Sequence, residues 1–400
     1  MTRIRAALYA VLVSGCLGLG PGAHAQKADG VRPEVGKPLQ EAANFLKSGR
    51  HRDAMAKVNE ADAAGNKSAF ETYTIQRMRA AVANAAGDNE TAIRAAEAVL
   101  NSGRASGNEA RQMVQVVAVG YYKNKDYAKA AQWTQRYFKE GGNDPGMRTV
   151  LLQSYYLGND CASVNKMVGN GDRRPTEEEL QILANCFLKQ KDTGGYVATI
   201  EKLVVHYPKK EYWTDLLSRV QKKPGFSDRL SLHVFRLRLE TGNLTKTDEF
   251  LEMAQLAVQA GYPAEAKAVL DKGYDTKLLG TGQGADRHQR LRDLVMKSLD
   301  ESQKNRAKEE QEALAAKDGN DLVRIGVNYV FEGKADKGLQ LIDQGIKKGG
   351  LKRPEDAKLA LGYAQVHAGQ RARGVQTLRG VQGTDGTADI ARLWVLHARA

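Results

Sequence analysis

Several kinds of chemistry have no residues to carry them in this 400-residue chain. It has three cysteines and no C-x2-C pair, so a structural zinc site is not expected. Its seven histidines (His24, His51, His206, His233, His288, His367 and His397) are scattered. No two sit at i, i+4, which excludes a His-Glu-x-x-His metal helix. There is no Gly-x-Ser-x-Gly elbow and no Walker loop. The run Glu177-Glu178-Glu179 follows Pro175-Thr176. It reads as a helix start, where negative charge offsets the helix dipole and Thr176 with Glu179 forms a capping box. No catalytic residue, metal ligand set or cofactor is therefore expected.

Proline is scarce at 9, whereas glycine is plentiful at 40. Little proline with many helix formers favours helix. Many glycines suit many helix ends, where a left-handed cap is needed. Beyond the N-terminus no segment approaches 18 apolar residues, so no permanent transmembrane helix is expected. No run of five or six like charges occurs, although the formal net charge is +13. Such a balance suits nucleic acid, anionic lipid or acidic proteins. Interspersed as it is with Asp and Glu, it reads as a solvated basic surface.

Residues 1–25 read as a signal peptide: Arg3 and Arg5, an apolar stretch from Ala6 to Leu19, then Pro21-Gly22 before Ala23-His24-Ala25. Cleavage there removes two positive charges from +13 and leaves +11. The expected location is the periplasm, which disfavours nucleic acid as a partner. Val13-Ser14-Gly15-Cys16 offers an alternative, a lipobox that would anchor the protein through Cys16. Cys161 and Cys186 remain after cleavage. In an oxidising compartment they are a disulfide candidate, with two buried free thiols as the alternative.

The chain repeats itself. Gly49-Arg50-His51-Arg52-Asp53-Ala54 returns as Gly87-Asp88-Asn89-Glu90-Thr91-Ala92 and as Lys125-Asp126-Tyr127-Ala128-Lys129-Ala130. Ala54, Ala92 and Ala130 are spaced by 38 residues. Tyr121-Tyr122 matches Tyr155-Tyr156 after 34 residues, and Phe187-Leu188 after another 32. Near the C-terminus Gly326-x2-Tyr329-x3-Gly333-x4-Gly338 is followed by Leu361-Gly362-x6-Gly369-x4-Gly374. Small residues late in a first helix and early in a second let two backbones approach. Such a pair cannot bury its apolar face alone and must stack.

On these residues the chain resembles the tetratricopeptide repeat (TPR) family, best over 114–140, 322–348 and 356–382. The resemblance implies an all-α, right-handed α–α solenoid of about ten helix pairs, with residues 388–399 as a capping helix. The expected organisation is a short flexible stretch at 26–35, an N-terminal stack at 36–275, a Gly-rich connector at 276–285 and a C-terminal stack at 286–400. The family binds extended peptides or partner domains in a groove lined by first helices. Carried over, its groove positions select Gln112, Gln115, Tyr122, Thr149, Gln153, Tyr156, Gln181, Asn185, Leu188 and Tyr363. Tyr122 and Tyr156 could instead pack between repeats. The family positions at Val323, Val327, Val330, Leu359 and Val366 also suit interhelical core. The family's two-carboxylate clamp has no counterpart here.

The expectation for function is a non-catalytic envelope scaffold that holds protein or peptide partners. The alternatives are a holdase for outer-membrane proteins, and a binder of anionic glycan or lipid at the envelope surface.

Overall fold

The computed structural model describes residues 30–169, 173–282 and 284–399. The expected signal peptide 1–25, Cys16 and residues 26–29 lie outside them. Every regular element among the described residues is helical. The helices are α1 (Pro33–Lys47), α2 (His51–Asp62), α3 (Ala69–Ala86), α4 (Asn89–Asn101), α5 (Gly107–Lys123), α6 (Tyr127–Lys139), α7 (Pro145–Leu157), α8 (Cys161–Gly169), α9 (Glu177–Lys189) and α10 (Thr193–His206). They continue as α11 (Lys210–Gln221), α12 (Ser231–Glu240), α13 (Thr247–Gln259), α14 (Pro263–Asp275), α15 (Ala285–Ala315), α16 (Asn320–Phe331), α17 (Ala335–Lys348), α18 (Pro354–His367), α19 (Arg371–Arg379) and α20 (Thr387–Arg399). The chain forms two compact units that divide after Gln190. Both are α–α arrays of TPR-like hairpins.

The repeated motif is a helix-to-helix turn with a fixed mechanism. Its first residue is left-handed: Gly87 has φ 80°, Lys125 64°, Asn159 59° and Lys191 56°. The aspartate that follows then caps the next helix. Asp88, Asp126 and Asp160 accept the backbone N–H of Thr91, Lys129 and Ser163 at 3.0–3.1 Å, and Asp192 that of Gly195 at 2.8 Å. A cap of this kind stabilises a helix by about 1 kcal/mol.

In unit 1 the first helices α1, α3, α5, α7 and α9 each touch the next first helix. Among the described residues no comparable contact joins the second helices α2, α4, α6 and α8. The layer whose members lie closer is the inner side of a curved stack, so the first helices line that side. Apolar residues of alternating helices fill the space between layers, for example Ala80, Ala92, Val99, Met113 and Val117. The disulfide Cys161–Cys186 ties the start of α8 to the middle of α9, with Cα atoms 5.4 Å apart.

Unit 2 is built from the same hairpins but closes on itself. A cap on an open stack touches only the last pair. Here α20 packs on α18 and α19 and also on α10 and α12, near the start of the unit. Arg229 joins Asp356 and Asp385, each at 2.8 Å. Lys223 pairs with Asp389 at 2.8 Å, and Arg392 pairs with Glu201. The expected connector at 276–285 lies inside this unit. Leu279 is buried in its core, and Thr247 donates to the Leu278 carbonyl at 2.9 Å. Leu279 anchors the described residues 276–282 as a packed turn, and the two units part after Gln190 instead.

The tightest hairpin is α16–α17. A Cβ on Gly338 would sit 2.5 Å from the Gly326 carbonyl oxygen, and one on Gly326 would sit 2.6 Å from that of Gly338. Both obstacles are backbone, so neither can swing aside. Gly338→Ala should gain about 1 kcal/mol of helix propensity and lose about 3 to overpacking, a net loss of about 2 kcal/mol. Denaturant unfolding checks this; a variant as stable as the parent would refute the backbone contact.

Candidate functional site

The spacing of first helices in unit 1 is set by side chains that reach from one to the next. Glu71 caps α3, taking the Ser68 N–H at 2.9 Å while its own N–H donates to Ser68 Oγ at 3.1 Å. The same carboxylate receives Arg32, just before α1, at 2.9 Å. Glu109, early in α5, accepts Tyr73 Oη of α3 at 2.5 Å and lies 3.5 Å from Arg77. Gln115 of α5 donates at 3.1 Å to Asp144, the cap of α7. Glu179 caps α9 with Thr176 and takes Arg148 of α7 at 3.0 Å, with Arg173 alongside. Every step between first helices therefore has a polar link beside its apolar one.

The expected groove residues of unit 1 lie on this layer. Tyr122 of α5 donates to Gln153 Oε1 of α7 at 2.6 Å, and Gln153 Nε2 donates to Glu178 of α9 at 3.3 Å. Tyr122 also meets Tyr127 edge-on. Tyr156 carries the Lys189 ammonium 4.0 Å above its ring. Gln112 and Thr149 are half-buried, and Gln181 and Asn185 are exposed. Leu157 and Leu188, at the ends of α7 and α9, are large apolar side chains left 42% and 47% exposed. Residues of three successive first helices thus form one surface of amides, tyrosine hydroxyls and isolated apolar groups. Sequence reading took Glu178 only as part of a helix start and did not pick out Leu157 or Lys189. Charge or a helix-end position hid them, and only cross-repeat contacts reveal them.

Tyr363 is not on such a surface. It is 3% exposed in the core of unit 2. Its hydroxyl lies 3.2 Å from Glu265, which holds Arg236 in a two-pronged pair at 2.6 and 2.7 Å. The Arg236 guanidinium sits 4.5 Å from the Tyr363 ring, and Trp394 covers another side at 4.9 Å. Burial pushes the Tyr363 hydroxyl well above its usual range. Val323, Val327, Val330, Leu359 and Val366 are buried too. Closure accounts for Tyr363, which Arg236 of α12 and Trp394 of α20 cover, whereas Val323, Val327 and Val330 pack between α16, α17 and α18 as interhelical core.

The described residues contain no group of His, Cys, Asp or Glu arranged to hold a metal ion. No described helix is long and apolar enough to cross a membrane.

No family model and no curated protein matches the chain. Among solved structures, Naa15/Naa10 bound to HypK-THB aligns at a TM-score of 0.32 and 15% identity, over 88% of this chain and 59% of that one. The chain thus spans less than two thirds of that neighbour. The TPR domain of P58(IPK) aligns at 0.25 and 13% identity, over 91% and 97% of the two chains. Yeast Tom70 aligns at 0.27 and 11%, over 91% and 95%. At such scores the repeat fold rests on the hairpins described above.

Two predictions follow from these charged pairs. Hydrogen bonds from Arg32, Ser68 and the Arg32 backbone hold the Glu71 carboxyl down to about 2, against 4.5 for an ordinary glutamate. A depressed carboxyl contributes stability above pH 4.5 that is lost as pH falls towards 2. Denaturation midpoints measured across that window should fall less steeply for Glu71→Gln than for the parent; parallel curves would show that Glu71 plays no part. In unit 2, Glu265→Ala leaves the buried Arg236 without its partner and should cost about 3–5 kcal/mol. A calorimetric loss below about 1 kcal/mol, the scale of an exposed pair, would contradict the buried-pair account.

Proposed function

We propose that the protein is a non-catalytic scaffold of the bacterial envelope, and that the first-helix surface of unit 1 holds an extended segment of a partner protein. The observation that carries this is the hydrogen bond from Tyr122 to Gln153. It joins residues of two repeats into one continuous surface. Around it stand Gln112, Gln115, Gln181 and Asn185. A side-chain amide has one acceptor and a two-hydrogen donor, so it can pair with a peptide group of any sequence. Packed helices are about 9 Å apart, and an extended chain rises about 3.3 Å per residue. Each repeat therefore spans about three residues of a bound segment. Tyr122, Tyr156 and Leu188 supply apolar contact between the amides.

A leader-like N-terminal sequence supports the envelope assignment. The leader has the charge, apolar stretch and small-x-small site of a signal peptide. The bonded pair Cys161–Cys186 suits an oxidising compartment.

The test places a photo-crosslinking residue at 112, at 185, or at 132 on the exposed side of α6, in full-length protein in cells. One partner trapped at 112 and 185 but absent at 132 is the expected result. Trapping that is equal at all three positions, or absent from 112 and 185, would overturn the assignment. A broad set of outer-membrane proteins at 112 and 185 would replace the scaffold by a holdase.

A further inference from the structure

Closure of unit 2 leaves a cavity of about 740 Å³ within it, bordered by the turn at Asp228–Leu230, α12, α13, α16, α18 and the α17–α18 loop. That lies within the range of small-molecule sites, about 300–1,000 Å³. One part of its lining is apolar: Leu232, Leu256, Val323, Leu351, Ala357 and Ala360. The other part is polar, and most of its charge is already used. Arg236 is committed to Glu265, and Arg229 to Asp356 and Asp385.

What remains is mainly donors. Lys352 and Arg353 line the cavity, and their side chains make no ion pair or hydrogen bond among the described residues. Tyr262 and Gln259 also line it, and their side chains make no hydrogen bond among the described residues. The first turns of α16 and α18 open on it through Asn320, Val323, Asp356 and Ala357; at α16 the Asp318 carboxylate already accepts the Asn320 N–H at 3.0 Å, and the residue before α18 makes no side-chain cap. A helix start carries partial positive charge. Against these stand Asp228, whose carboxylate has no partner among the described residues, and Asp318, whose charge acts on Lys352 from outside the lining.

We propose that this cavity is a binding site for a small amphiphile with one anionic head group, a carboxylate or a phosphate, on an apolar body. The head group sits at Lys352 and Arg353, with the Tyr262 hydroxyl and Gln259 amide as further donors. The apolar body lies along Leu256, Val323 and Ala360. This site is separate from the first-helix surface of unit 1 and takes a different class of ligand.

The experiment is isothermal titration of the full mature protein with octanoate, octyl phosphate, octylamine and octanol. Saturable binding at one site is expected for octanoate or octyl phosphate, and the stronger of the two identifies the head group. Lys352→Ala/Arg353→Ala should weaken that binding by about tenfold or more, the loss of one charge-assisted contact. Both side chains are exposed, so the variant should fold. Asp228→Asn should tighten binding, since it removes an opposing charge. Equal binding of octylamine or octanol would overturn the proposal. So would an anion affinity unchanged in the double variant, or no saturable binding up to about 1 mM.

Discussion

A helix hairpin has more apolar surface than its own two helices can cover. Each hairpin must therefore find another surface to lie against, and the chain supplies one by placing a further hairpin next in sequence. The rest follows from how closely the two helices of each hairpin meet. At α16–α17 the contact is backbone against backbone, through Gly326 and Gly338. At α18–α19 it recurs, with a Cβ on Gly374 only 2.9 Å from the Gly362 carbonyl. In unit 1 alanines such as Ala92 and Ala130 hold the equivalent early positions in the second helices, fully buried.

The two units resolve the remaining exposed face in different ways. Unit 1 leaves its first-helix layer open, and polar links between those helices fix its spacing. Arg32–Glu71, Gln115–Asp144 and Arg148–Glu179 use carboxylates that also cap the next helix, so the same group ends one task and begins another. Unit 2 covers part of that layer with α20 and α12. There a first-helix tyrosine, Tyr363, becomes core, and a charged pair, Arg236–Glu265, is buried beside it. A buried pair of this kind contributes little net stability when complete and costs heavily when broken. It therefore specifies one arrangement of α12, α14 and α18 and penalises others.

The fold was legible because its signals are local. The left-handed glycine before Asp88, glycines twelve apart in α16–α17 and α18–α19, and the capping box at Thr176 and Glu179 each act within a few residues. Their spacing states helix, turn and helix without reference to the rest of the chain. The unit 1 surface was partly legible for the same reason. Tyr122 and Gln153 occupy corresponding faces of successive first helices, and regular stacking brings them together.

What the sequence determined by itself is the hairpin: its helices, caps, left-handed turns and close-packed small residues. What only the tertiary structure decided is which hairpin faces stay open. Tyr122 lies three residues before its turn residue Lys125 and Tyr363 six before Gly369, and both fall on the face that the repeat pattern marks as groove, yet Tyr363 is buried and Tyr122 half-exposed. The difference comes from Arg229 reaching Asp356 and Asp385, more than a hundred residues away, which holds α20 against the start of its unit. Contacts of that separation carry no periodicity. Their effect, the closure that buries Tyr363 and forms the cavity beside Lys352 and Arg353, becomes visible only once the chain is folded.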